Sequence, residues 1–168
     1  GVPAALVKGG HVEGDTVVDV LVTEETIEQI SHPRVDTDAT HGSGCMLSSA
    51  IATRLAYGDD LETAVRTATD LLARAVRYSL DIGEGPGAVH HMVAARDRAE
   101  RDPTAEQVRS AVAELGEMDL RPLAEGPMNV AGATPYAEVP GECATADGGL
   151  GFGRDGLLAC GDVRYGTE

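Results

Sequence analysis

The sequence predicts an α/β fold, and three observations predict it. Short β-branched runs stand at residues 2–7 and 17–22, a small, polar, Gly-rich segment at 38–44 leads into an apolar stripe at helical spacing, and a longer helical stripe follows. The run at 2–7 is a strand that ends on Lys8-Gly9-Gly10, a Gly turn. The run VVDVLV is a second strand, broken by Asp19. Residues 24–30 are ambiguous, and His32-Pro33-Arg34-Val35 leads towards a loop; three short strands separated by turns fit this stretch. After Gly44, the residues Met46, Leu47, Ala50, Ile51 and Leu55 recur as one helical face, and Tyr57-Gly58 ends that helix, with Gly at a position suited to a left-handed cap. Asp59 with Glu62 gives an acidic capping box for the next helix, whose stripe runs Leu61, Ala64, Val65, Ala68, Leu71, Leu72, Ala75 and Val76. A Gly-Pro-Gly loop at 83–87 closes the unit.

The second half is read differently. The charge-rich stretch RDRAERDP gives a linker at 97–103 between a first domain, 1–96, and a second, partial α/β domain, 104–168. Thr104 and Gln107 form a capping box ahead of Val108, Val112 and Leu115. From Pro127 onward the chain is Gly-rich with short apolar pieces.

Composition narrows the function classes. The net charge is −15, from 28 acidic against 13 basic residues, so the chain repels phosphate backbones and nucleic acid is not its partner. Twelve of the basic residues are Arg and Lys8 is the single Lys, a balance that reads as salt adaptation or as the mark of a GC-rich genome. With 3% aromatic residues and no Trp, the core is aliphatic. No apolar run of about 18 residues exists to span a membrane. Three scattered cysteines without a CxxC pair point to a reducing cytoplasm and away from a disulfide framework or zinc knuckle. The N-terminus lacks Met and starts within a strand pattern, so the sequence reads as a fragment; a homo-oligomer is left open.

Two constellations carry chemistry. Thr40-His41-Gly42-Ser43-Gly44-Cys45 opens a helix, where backbone N–H groups of small residues form a concave nest and the helix end adds partial positive charge. Such a nest stabilises the charge that builds on a phosphoryl group in transfer, and Cys45 stands at the same helix end. The same spacing also describes an ordinary Gly-rich helix start with a buried Cys. Lys8-Gly9-Gly10-His11 places an ammonium at a strand-to-turn junction, within reach of nucleotide phosphates or simply exposed to solvent. Asp36 and Asp38 order the Gly loop, hold a cation through water, or merely form turns. His90 and His91 are adjacent, so they point apart, and no metal site is assigned.

Taken together, LVKGGH, DVL, THGSGC, LSSAIATRLA and GEGPGAVHH, in that order over residues 1–95, resemble the hydroxymethylpyrimidine/phosphomethylpyrimidine kinases of the ribokinase-like superfamily. The resemblance implies the C-terminal portion of an α/β/α sandwich around a mostly parallel sheet. It implies ATP-dependent phosphorylation of hydroxymethylpyrimidine and then of its monophosphate, in thiamine biosynthesis. Gly42, Ser43 and Gly44 would form the anion hole, and Cys45 would be the base or positioner. Lys8 would contact ATP, with Gly10 and His41 beside the nucleotide, and Mg²⁺ would bridge the phosphates. Met46 departs from the small Thr expected there and Ala39 from Asn or Asp. The segment ahead of Gly1, with most of the pyrimidine pocket, is missing, so the isolated chain is expected to need it to fold fully.

The tail has its own resemblance. Met128-Asn129-Val130, then ATPYAEVPGECA, then Gly161-Asp162-Val163-Arg164-Tyr165-Gly166 are similar to the archaeal-type thiamine-phosphate synthase domain found fused to this kinase. That implies an archaeal, salt-adapted source. Two other readings stay open: another ribokinase-like kinase acting on hydroxyethylthiazole or a sugar, and a non-catalytic regulator that binds a thiamine-related ligand.

Overall fold

A computed structural model describes residues 1–118, 120, 126–152 and 157–166. The chain divides into two compact units, Gly1–Val93 and Ala94–Glu168.

In the first unit, β1 (Ala4–Val7), β2 (Thr16–Thr23) and β3 (Ile27–Pro33) form a sheet of order β1-β2-β3, antiparallel throughout. The connections, residues 8–15 and 24–26, are too short for the crossover a parallel pair needs, so this portion of the fold is built from hairpins. The ambiguous stretch 24–30 resolves into a turn and the start of β3, and β3 runs on through His32 to Pro33, beyond the expected loop. Thr23 organises that turn: its hydroxyl accepts from the amides of Glu25 and Thr26.

Along β2 burial alternates, with Val17, Asp19 and Leu21 buried on one face. Leu21 and Ile30 meet Val65 in one core cluster, joined by Leu6, Ile51 and Leu61. Both helices, α1 (Ser43–Ala56) and α2 (Leu61–Arg77), therefore lean on the same sheet face, and they pack on each other. α2 buries Ala64, Val65, Ala68, Leu72 and Ala75 of the predicted stripe, together with Thr69, while Leu61, Leu71 and Val76 are half-buried, and each fully buried Val or Leu contributes about 1.5–3 kcal/mol. Its N-cap is Asp60, whose carboxylate accepts from the Thr63 amide at 2.9 Å. Asp59, expected in that role, instead pairs with Arg54 of the preceding helix. The Thr63 amide anchors capping one residue later than the Asp59–Glu62 spacing suggested.

The second unit contains α3 (Val93–Gly116, which starts on the last residue of the first unit), a sheet of β4 (Ala131–Ala133), β5 (Cys143–Ala146) and β8 (Val163–Tyr165), and a hairpin of β6 (Leu150–Phe152) and β7 (Leu157–Ala159). The expected linker at 97–103 is helical, and Thr104 lies inside the helix, not at its start. The physical reason is local: Arg, Glu and Ala are good helix formers, Asp97 and Arg101 pair one turn apart, and the Thr104 hydroxyl donates to the Glu100 carbonyl at 2.7 Å. Charge density marked a solvated helix face there. The core of this unit joins Ala105, Val108 and Val112 of α3 to Ala144, Ala146 and Val163 of the sheet. A Cβ on Gly132 would lie 2.5 Å from Val108 Cγ2, so glycine sets the close approach of β4 to α3. Asn129 extends the sheet, its amide group bonding both the N–H and the carbonyl of Ala146.

Candidate functional site

The turn after β1 is held from two sides. The Gly9 amide donates to Oδ1 of Asp19 at 2.9 Å, and a Cβ at Gly9 would lie 2.1 Å from the Val18 carbonyl oxygen. Asp19 is 1% exposed on an otherwise apolar face, and this bond is what its carboxylate does there. From the other side, Arg34, just past β3, sends its guanidinium to the carbonyls of Gly10, Val12 and Gly14.

The Gly-rich segment does start a helix. Gly42 is the N-cap of α1 with φ 83°, a left-handed conformation that favours glycine. The Met46 amide closes the first helical bond onto the Gly42 carbonyl at 2.9 Å, and the Ser43 amide reaches the Thr40 carbonyl at 3.2 Å. Among the described residues no partner engages the amides of Gly42, Gly44 and Cys45. The nest is thus made of three unengaged donors at a helix N-terminus, with the Ser43 amide already in use.

Residues 87–91 brace this nest. The His41 amide donates to the Gly87 carbonyl and the Val89 amide to the His41 carbonyl, both at 3.1 Å. Ala88 exchanges two bonds with Leu80, and the His90 amide reaches the Ala75 carbonyl at 2.8 Å, so the brace is fixed to the end of α2. Gly87 is required for space: its Cβ would stand 2.5 Å from the Leu80 oxygen and 2.7 Å from Ala39 Cβ. That explains Ala39, which is buried against the brace. The His91 ring lies over Gly42, its Nε2 3.1 Å from where a Cβ would project.

A cleft of about 300 Å³ opens between the turn and the helix mouth. Lys8, Gly10 and Ser43 line it, with Val17, Leu72 and Val76 forming an apolar wall. Its charged and titratable lining is Lys8, His11, His32 and Arg34 against the single carboxylate of Asp38. In a chain of net charge −15 this is a local inversion, suited to an anion that carries an apolar ring. Lys8 also lines an adjoining groove with Gly44, Cys45 and Ser48.

Of the residues singled out from sequence, Lys8, Gly10, Ser43, Gly44 and Cys45 therefore lie along these two connected depressions. Cys45 is exposed, against the reading of a buried Cys. Met46 is buried, so its side chain faces the core and away from the nest. His41 and Gly42 line neither depression; His41 serves through its main chain and Gly42 as the cap beneath His91. Sequence reasoning gave no role to Asp19, Arg34 or Gly87, and weighed His91 only as a metal ligand. Only Asp19 carried a signal, a carboxylate interrupting a β-branched strand.

Comparison with known structures places this α/β segment among ribokinase-like folds. The chain is similar to Bacillus subtilis pyridoxal kinase in an ADP complex, with a TM-score of 0.54 and 31% identity over 57% of this chain and 37% of that one. It is similar also to Staphylococcus aureus pyridoxal kinase in complex with AMP-PCP and pyridoxal, TM-score 0.53 and 26% identity over 54% of this chain and 34% of that one. These are ribokinase-like neighbours of a partial α/β domain.

The chain belongs to the phosphomethylpyrimidine kinase family, which matches residues 1–90. It is 42% identical over 93 residues to a hydroxymethylpyrimidine/phosphomethylpyrimidine kinase of Rhizobium meliloti, covering 54% of this chain and 35% of that protein. It is 40% identical over 96 residues to the thiamine biosynthesis bifunctional protein ThiED of Geobacter sulfurreducens, covering 57% and 20%. The chain thus spans about a third or less of the curated relatives it matches.

Proposed function

We propose that the first unit is the nucleotide-handling end of an ATP-dependent hydroxymethylpyrimidine/phosphomethylpyrimidine kinase of thiamine biosynthesis. The observation that carries the reading is the set of unengaged amides at Gly42, Gly44 and Cys45, beside Lys8 and braced by residues 87–91. In this reading ATP lies in the cleft, its base against Val17, Leu72 and Val76 and its phosphates towards Lys8 and Ser43. Gly10 walls the nucleotide side, and His41 holds the loop through its backbone. The hydroxymethyl oxygen of the pyrimidine attacks the γ-phosphorus, the bond to the β-phosphate oxygen breaks, and ADP leaves. The free amides of Gly42, Gly44 and Cys45 take the charge on the transferring group, and the Cys45 sulfur orients the attacking hydroxyl and accepts its proton. The second phosphorylation repeats these steps with a phosphate oxygen of the monophosphate as nucleophile.

Mg²⁺ in this scheme would arrive with the nucleotide and would need no preformed protein cage. Asp38 is the carboxylate lining the cleft, and among the described residues no group of three His, Cys, Asp or Glu could cage a metal. When bound, the ion would neutralise charge on the phosphates.

The second unit is read as part of a thiamine-phosphate synthase-like domain. The resemblance segments support this by falling on one assembly, with Asn129 bonded to β5 and the 161–166 segment supplying β8. The relatives named above are bacterial, so an archaeal, salt-adapted source rests on this resemblance and the charge balance alone. No helix among the described residues is long and apolar enough to cross a membrane, and a cytoplasmic location rests with cysteine usage.

A second acceptor deserves an arm of the test because the structural neighbours are pyridoxal kinases. The full-length protein is incubated with ATP, Mg²⁺ and hydroxymethylpyrimidine, or with pyridoxal in its place, and phosphate transfer to each is measured. Transfer to the pyrimidine is expected; transfer to pyridoxal alone would replace the reading, and transfer to neither with no ATP bound would end it.

A further inference from the structure

Arg34 lines the cleft, and neither the family reading nor the proposed chemistry uses it. Its guanidinium reaches back across the turn to three carbonyls, Gly10 at 3.0 Å together with Val12 and Gly14, and its own amide donates to the Asp15 carbonyl at 2.8 Å. Four donors of one residue converge on residues 10–15. In a chain with 28 acidic residues an arginine normally finds a carboxylate, yet Arg34 has no ion pair among the described residues. Carbonyl oxygens satisfy its N–H groups without cancelling its charge, so the positive charge stays at the cleft wall.

The turn it straps is already anchored at its other end, where Asp19 holds the Gly9 amide and the Val12 amide returns to the Gly9 carbonyl at 3.0 Å. Between those anchors lie Gly10 and His11, which wall the cleft, and immediately before them Lys8. A turn of this length, exposed at His11, Val12, Glu13 and Gly14, would otherwise sample many conformations.

We propose that Arg34 is a positioning residue: it straps residues 9–15 into the one conformation that walls the cleft and presents Lys8, and it lends that cleft an uncancelled positive charge for an anionic nucleotide. The planar fork is the operative feature. A lysine keeps the charge but cannot reach three carbonyls at fixed angles. The strap itself is independent of the kinase reading; its effect on nucleotide affinity rests on that reading.

The test uses the full-length protein in wild-type, Arg34→Lys and Arg34→Gln forms. Amide exchange is measured without ligand, and binding of a fluorescent N-methylanthraniloyl-ADP is titrated. Expected is exchange at Gly9 and Val12 faster by about tenfold or more in both variants, with amides of β2, β3 and α2 unchanged. ADP affinity falls by about tenfold in the Gln variant and by less in the Lys variant, which retains the charge. Unchanged exchange at Gly9 and Val12 in both variants would overturn the strap, and so would faster exchange spread evenly over residues 1–93, which marks a general stability role. A wild type that fails to bind the ADP probe removes the kinase reading, while the exchange result still decides the strap.

Discussion

The Asp19 carboxylate, buried between Val17 and Leu21 on the inner face of β2, accepts the amide of Gly9 from the neighbouring turn at 2.9 Å. Removing the acceptor strands a part-buried donor whose glycine cannot back away, since the Val18 carbonyl already touches it. Asp19→Ala is expected to lose about 2 kcal/mol of stability by urea denaturation, and Asp19→Asn, which keeps an oxygen in place, about half that. An alanine variant as stable as the wild type would show that the bond does not order the turn.

Gly87→Ala places a Cβ 2.5 Å from the Leu80 oxygen and 2.7 Å from Ala39, where backbone cannot yield. The expected cost is about 1–3 kcal/mol, with loss of phosphoryl transfer because the brace under His41 moves. Gly85 is the control: nothing lies within 4 Å of its Cβ position, and Gly85→Ala should stay within about 0.5 kcal/mol of wild type. Equal melting curves for the two variants would refute the packing account.

Asp60 caps α2, and hydrogen bonds from the Thr63 amide first, then from the Thr63 hydroxyl, hold its pKa below the ordinary aspartate value of 3.8. A folded-state pKa below the unfolded one means stability present above the unfolded value and lost as pH falls through the folded one. Asp60→Asn keeps a capping oxygen without the titration. Its thermal midpoint should therefore fall less than that of the wild type between pH 5 and pH 3, a window that spans the 3.8 reference. Parallel pH profiles for the two proteins would contradict this.

The sequence made α1, α2 and the Gly nest legible because helical stripes and small-residue runs are local signals, as Leu72 and Gly42 show. It misplaced what depends on distant partners. The cap moved from Asp59 to Asp60 because Arg54 claims Asp59, and the linker dissolved into α3 because Asp97 is shielded there, bonded to Thr134 and Arg101. Arg34 was illegible for the same reason: its partners are 20 to 24 residues upstream and are carbonyls, which leave no trace in residue identity. Gly87 looked like any loop glycine, and only Leu80 and Ala39 reveal what it makes room for.

Cys45 gives the most direct trial of the catalytic reading, because it is exposed in the first turn of α1 beside Lys8. Bound ATP would lay its phosphates over that groove and shield the sulfur. Site-resolved mass spectrometry of iodoacetamide labelling should show Cys45 protected about tenfold or more by saturating ATP, by the factor 1 + [L]/Kd, while exposed Cys160 in the other unit labels at an unchanged rate. Cys45→Ala should then lower kcat about 100-fold, the usual scale for a lost general base, and leave KM for ATP within a few-fold. The pairing of the two measurements matters. Protection without a fall in kcat would keep the nucleotide at the helix mouth and take the sulfur out of the chemistry; a fall in kcat without protection would make the effect of Cys45 indirect and leave the phosphates elsewhere.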